Sequence, residues 1–201
     1  MSLEEVMRDY FDVRTDDLLL WKQLIEGDKN AYSTLFVKYY DDLYAYSLKL
    51  TKVEDLSHDI IQELFVNLWI TRHKLKPVSN LKPYLLRCVK NLTIDYSRKS
   101  KTIERVNQNI VSEEIIFSQE DFRISNEETA AQSAKVLALL NSLPIRVREA
   151  IYLRYFTGLD YSEIANVMEI NVQTAQNFVH RGIRQMKEVY VVFLSIVPYS
   201  I

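Results

Sequence analysis

Apolar residues recur along most of the chain at steps of three and four, the spacing that lines up one face of an α-helix. Leu18, Leu19, Leu20, Trp21, Leu24 and Ile25 predict a short helix stopped by Gly27. Asp28 is placed to cap the next helix, whose Ala31, Leu35, Tyr39, Leu43, Tyr46 and Leu50 keep the same rhythm. A third begins near Glu54, and its Leu56, Ile60, Ile61, Leu64, Phe65, Leu68 and Trp69 form a wide apolar stripe. Phe65 and Trp69 belong to that buried stripe. The pattern breaks between His73 and Asn80, with Pro77 inside. A fourth helix runs from about Leu81 to about Arg98, with Pro83 in its first turn, where a missing N–H costs little. Four helices with short joints predict one bundle over residues 18–100.

Residues 101–129 are acidic and less periodic, and they read as a linker. Ile103, Ile110, Val111, Ile115, Ile116 and Phe117 give it enough apolar surface to fold against a partner. Periodicity resumes near Asn126 and continues to Leu140. Pro144 opens a further helix through Val147, Ala150, Ile151, Leu153 and Tyr155, which Gly158 ends. Asp160 and Glu163 form a capping-box pair before the short helix Tyr161 to Met168. A tight joint follows, and Asn171 caps a long helix from Val172 to at least Glu188. Short helix, brief turn and second capped helix make the helix-turn-helix pattern. The second domain is expected over 130–201, and an acidic extension of residues 1–17 precedes the first.

Composition narrows the class. Only 3 Gly and 4 Pro occur in 201 residues, far below the roughly 12% that is usual. Sandwiches, barrels and doubly wound sheets need more tight turns than that, so an all-α fold is expected. Gly27, Gly158 and Gly182 lie too far apart for a phosphate loop. Cys88 is the lone cysteine, read as a small buried apolar residue, and His58, His73 and His180 lack metal-ligand spacing. No metal, cofactor or small-molecule substrate is called for, and no nucleophile–base pair suggests an enzyme. The start of the chain lacks the apolar core of a signal peptide, and no apolar run approaches a membrane span, so a cytoplasmic protein without membrane insertion is expected.

Charge adds what composition hides. The formal net charge is only -2, yet residues 72–101 hold nine Lys or Arg against Asp95 alone. Such a segment is an electrostatic footprint for phosphate, although a solvated helix face carries similar runs. From Asn171 to Lys187 there is no acid, as a helix lying on a phosphate backbone requires. Val179, Ala175, Ile183 and Met186 form its inner stripe. Gln173, Thr174, Gln176 and Asn177 stand near its N-terminus, where amides reach base edges; an ordinary three-helix bundle with a polar outer face is the plainer alternative. On the third helix Asp59, Gln62 and Glu63 stand at i, i+3 and i+4, so they share one face and can meet a partner's arginines.

Taken in order, these segments resemble the extracytoplasmic-function sigma factors of bacterial RNA polymerase. Gly27-Asp28, Ala31, Leu35 and Tyr39 resemble the family's opening helices. Asp59 to Trp69 is similar to the helix that binds the clamp of the largest polymerase subunit. Pro83-Tyr84-Leu85, Asn91, Asp95 and Arg98-Lys99 resemble the promoter-melting helix of region 2. Leu143-Pro144, Arg148, Leu153-Arg154-Tyr155, Gly158-Leu159 and Tyr161 to Ala165 lead into a helix-turn-helix like that of region 4.

The resemblance implies a non-enzymatic initiation factor that binds core RNA polymerase through Asp59, Gln62 and Glu63. It implies that the -10 element is received by Arg72, Lys74, Lys76, Asn80, Lys82, Tyr84, Arg87, Lys90, Asn91 and Arg98. Asn80 would bond a base edge, Tyr84 would stack on an extruded base, and Asp95 would orient an arginine. The -35 element would meet Arg154, Gln173, Thr174, Gln176, Asn177, His180, Arg181, Arg184 and Lys187. An anti-sigma factor is expected as a further partner, besides core polymerase and promoter DNA. The uncharged tail from Val189 is expected to pack on region 4, or else to dock between domains or on the anti-sigma factor. Tyr84 stands where many members have Trp, Asn171 to Ala175 departs from the usual turn, and Gly182 replaces the usual Ala. The rival reading is a free-standing dimeric helix-turn-helix regulator with a sensing bundle, for which the basic segment and the Asp59 face have no use.

Overall fold

The computed structural model describes residues 16–103, 114–122, 127–187, 189, 191, 193 and 194, with side chains described except at 99–103 and 127–132. Residues 1–15 of the extension expected over 1–17, Ile110 and Val111 of the linker, the side chain of Lys99 and the tail beyond 194 lie outside these residues, while Asp16 and Asp17 belong to the first helix. The chain is all-α, with no strand among the described residues, and it divides into two compact units between Ser112 and Glu113. None of the helices in the described residues is long and apolar enough to cross a membrane.

The first unit holds α1 (residues 16–26), α2 (Lys29–Thr51), α3 (Glu54–Thr71) and α4 (Leu81–Ile103), with a single 3-10 turn, Arg72–Lys74, after α3. The cap expected at Asp28 is present, its carboxylate accepting from the backbone of Asn30 and Ala31 at 2.7 and 3.3 Å. Trp21, Leu24, Leu35, Leu43, Tyr46, Ile60, Ile61, Phe65, Leu86 and Val89 form the core where α2, α3 and α4 pack together. Burying each such side chain contributes about 1.5–3 kcal/mol. Asp17 is buried beside α2, where its carboxylate accepts from the Tyr39 hydroxyl and from Lys38 Nζ. Burial and that carboxylate push the Tyr39 phenol well above its ordinary range.

The second unit holds a 3-10 turn (Gln119–Asp121), α5 (Glu127–Ser142), α6 (Ile145–Tyr155), α7 (Tyr161–Met168) and α8 (Val172–Gln185). The capping box of Asp160 and Glu163 forms, and Asn171 caps α8 by accepting from the Thr174 amide at 2.7 Å. Glu169, in the left-handed region at φ 54°, closes α7 and makes the tight joint. At Gly182 a Cβ would stand 2.8 Å from Ile151, so the approach of α8 to α6 needs a residue without one. That accounts for Gly182 where the resemblance leads one to expect Ala.

Three expectations are corrected. Part of the linker is core: Ile115, Phe117 and Phe122 are buried, and the Phe117 ring packs on Phe122, Tyr152 and Phe156. Arg148 holds this strap, donating to the carbonyls of Ile115 and Leu143 at 3.0 Å and to the Glu114 carboxylate. Helix α4 runs to Ile103 instead of Arg98. Helix α8 ends at Gln185, short of Glu188, because the Met186 amide shares the carbonyls of Gly182 and Ile183 and Met186 is buried. The turn at Met186 and Lys187 then lets Phe193 return to the core against Tyr155 and Phe156.

Candidate nucleic-acid interface

On α3, Asp59 and Gln62 are exposed and Glu63 is half-buried. The Tyr96 hydroxyl donates to Glu63 at 2.6 Å across the α3–α4 seam. That bond, then burial, pushes the Tyr96 phenol up to about 12. Glu63 is therefore fixed in direction before any partner arrives. The same face continues into exposed Val66 and Ile70, 50% and 59% accessible. They border an open groove of about 320 Å³ floored by Tyr32 and Trp69. Sequence reasoning passed over Val66, Ile70 and Tyr96, although Val66 and Ile70 follow Glu63 at i+3 and i+7.

The segment after α3 carries the residues expected to meet the -10 element. Lys74 and Lys76 are exposed on the loop, Asn91 and Arg98 are exposed along α4, and Asn80, Arg87 and Lys90 are half-buried. Asp95 lies 3.8 Å from Arg98, one turn along α4, both side chains exposed. Two of the expected phosphate holders have partners within the unit. The Arg72 guanidinium lies 4.4 Å over the Trp69 ring and donates to the Trp69 carbonyl at 2.7 Å. Lys82 pairs with Asp42 of α2 at 2.8 Å, bracing α4. Tyr84 is half-buried, its ring edge-on to Trp21 at 5.4 Å, and burial followed by Cys88 pushes its phenol up to about 12. Cys88 is half-buried rather than fully buried, and burial raises its thiol. Trp21 sits under this loop from 55 residues away, and no local spacing could have announced it.

The residues expected at the -35 element gather on α8 and its flanks. Gln173, Asn177, His180, Arg181 and Arg184 are exposed, Lys187 is exposed in the turn just past the helix, and Thr174 and Gln176 are half-buried. Gln173 donates to Asn177 at 3.2 Å, which aligns two amides one turn apart. His180, Arg184 and Lys187 line an open cationic groove of about 350 Å³ with Ile183 at its floor. Arg154 plays a bracing part: it donates to the Leu159 carbonyl at 3.0 Å and lies 5.2 Å over the Tyr161 ring. With α7 seated on α8 and α6 behind both, the helix presents a basic, acid-free face suited to a DNA groove.

Residues 35–103 match the family model for sigma-70 region 2, and residues 133–186 match that for sigma-70 region 4, together more than half of the chain. The chain is similar to the ECF RNA polymerase sigma factor SigM of Bacillus subtilis, 28% identical over 157 residues, covering 78% of this chain and 93% of the relative. It is likewise similar to SigW of the same organism, 28% identical over 171 residues, covering 80% and 89%. Its fold resembles that of the sigma factor RpoE from Bartonella quintana, solved with the anti-sigma factor NepR, at a TM-score of 0.57 and 21% identity over 80% of this chain and 97% of that one.

Proposed function

The chain belongs to the extracytoplasmic-function sigma factors of RNA polymerase, and we propose how it divides the work of promoter recognition among its own residues. The acids and amide of α3, exposed Asp59 and Gln62 with half-buried Glu63, engage arginines of core polymerase, with Val66 and Ile70 extending the contact. The loop and α4 receive the -10 element: Asn80 bonds an extruded base, Tyr84 stacks on it, and Lys74, Lys76, Arg87, Lys90 and Arg98 hold phosphates. Each base–aromatic stack contributes about 1–3 kcal/mol. Gln173 and Asn177 read -35 base edges, while His180, Arg181, Arg184 and Lys187 hold the flanking backbone.

The protein makes and breaks no covalent bond, works in the cytoplasm, and is held by an anti-sigma factor when not needed, as the Bartonella relative is bound by one. A net charge of only -2 suits a factor that binds DNA mainly inside the holoenzyme. One observation carries the division: the Asp59 face and the basic segment occupy one unit, while the acid-free capped helix occupies the other.

The test is transcription by the holoenzyme from a library of randomised promoters. Two separated elements should emerge. Gln173→Ala with Asn177→Ala should alter only the upstream one, and Asn80→Ala only the downstream one. Recovery of a single palindrome, bound without polymerase, would replace this reading with the dimeric regulator.

A further inference from the structure

Trp21 lies on α1, outside every segment assigned to DNA, yet it is only 2% exposed. Its indole N–H donates to the backbone carbonyl of Lys76 at 3.0 Å, in the middle of the loop between α3 and α4. Its ring stands edge-on to Tyr84 at 5.4 Å, an attractive arrangement for two aromatic quadrupoles. The same corner of the chain reaches the start of the loop as well. Gly27, just past α1, is so close to Arg72 that a Cβ there would stand 3.5 Å from its Nε. Arg72 is held in turn by the face and carbonyl of Trp69.

Between Leu75 and Asn80 the loop has no helical ladder of its own, and Pro77 has no N–H to give to one. A six-residue connection of that kind takes its conformation from what it rests on. Here it rests on α1.

We infer that α1 is the splint of the -10 reading loop, with Trp21 the positioning residue that sets Lys76, Asn80 and Tyr84 for the extruded base. The inference deepens the proposed function and rests on it. A base caught on leaving the duplex gains only from contacts already in place, because ordering a free loop at that moment would consume the binding energy. The Trp21 N–H···O=C bond and the edge contact contribute to that order without touching DNA.

The experiment uses full-length protein in holoenzyme, on a promoter selected by the wild type. Trp21→Phe keeps a ring but loses the N–H. Discrimination against a substituted -10 base should fall by roughly tenfold, the worth of one misplaced base contact. Permanganate reactivity of thymines in the -10 element should fall with it. Discrimination at the -35 element and co-elution with core polymerase should stay at the wild-type level. A side chain important only for stability would instead weaken all four readouts together, and that result would overturn the proposal. So would wild-type -10 discrimination in the variant.

If Trp21→Phe does not fold, β-(3-benzothienyl)alanine at position 21 keeps the shape of the indole and removes only the donor, and the same outcomes apply. A wild-type holoenzyme that selects no downstream element would overturn the functional reading and this inference with it. Wild-type selection that survives loss of the N–H overturns the splint alone.

Discussion

In the first unit, several of the side chains expected to meet partners are held by the unit's own scaffold. Tyr96 holds Glu63, Trp69 holds Arg72, Asp42 holds Lys82, and Trp21 backs Tyr84. In the second unit, the residues proposed to read bases and hold phosphates come mostly from one helix and its final turn, exposed to solvent along an acid-free face. The difference follows from the two tasks. A helix entering a duplex groove brings its own rigidity and needs only side chains at the right spacing. A surface that stabilises a base outside the stack has no regular element to lend it shape. It is built from three helices and a loop, each braced by another.

The comparison can be broken most severely at the strap of the second unit. Phe117→Ala should cost about 3–5 kcal/mol, because its ring is buried among Phe122, Tyr152 and Phe156. Hydrogen exchange resolved by residue should show the loss in α6 to α8, with the first unit unchanged. Exchange that stays slow in α6 would return residues 114–122 to the status of a tether.

The scaffold of the first unit has a pH signature. Tyr39 is held above its ordinary value by burial and Asp17, and Tyr84 and Tyr96 are pushed up to about 12. A phenol raised in the folded state keeps its proton where the unfolded chain, titrating near 10, gives it up. The stabilisation is thus complete below about pH 10 and is lost as pH climbs toward 12. Tyr39→Phe should cost about 1–3 kcal/mol near neutrality, since buried Asp17 loses a donor. It should also flatten the alkaline fall. Denaturant midpoints measured at neutral pH and at about pH 11 check both.

A smaller change tests the seat of α8. Gly182→Ala gains helix propensity of up to about 1 kcal/mol but forces a methyl to within 2.8 Å of Ile151, an overpacking that costs about 1–3 kcal/mol. A net loss of about 1 kcal/mol is expected in thermal unfolding of the second unit. The gentlest change sharpens the contrast in DNA binding. Arg181→Ala should lower the salt slope of holoenzyme–promoter binding by about 1 and weaken all promoters alike.

These differences also mark what the sequence could say. Asp28, Asp160 with Glu163, and Asn171 were legible as caps because capping chemistry acts over three residues. The face of α8 was legible because one helix repeats every 3.6 residues. The strap was not, because Ile115, Phe117 and Phe122 follow no helical period and are buried only by what Arg148 and α6 offer them. The end of α8 at Gln185 carries no Gly or Pro signal and depends on Met186 finding the core. The bracing of Glu63 by Tyr96 and of the -10 loop by Trp21 spans 33 and 55 residues, separations over which only the folded chain brings groups together.

The most direct test of the account is co-elution with bacterial core RNA polymerase on a sizing column. The comparison protein carries Asp59→Ala, Gln62→Ala and Glu63→Ala together. Asp59 and Gln62 are exposed and Glu63 only half-buried, so this variant should fold as the wild type does. Stoichiometric co-elution of the wild type, lost in the triple variant, is the expected result. A folded wild-type chain that passes the polymerase without binding, or a triple variant that binds as well as the wild type, would contradict it.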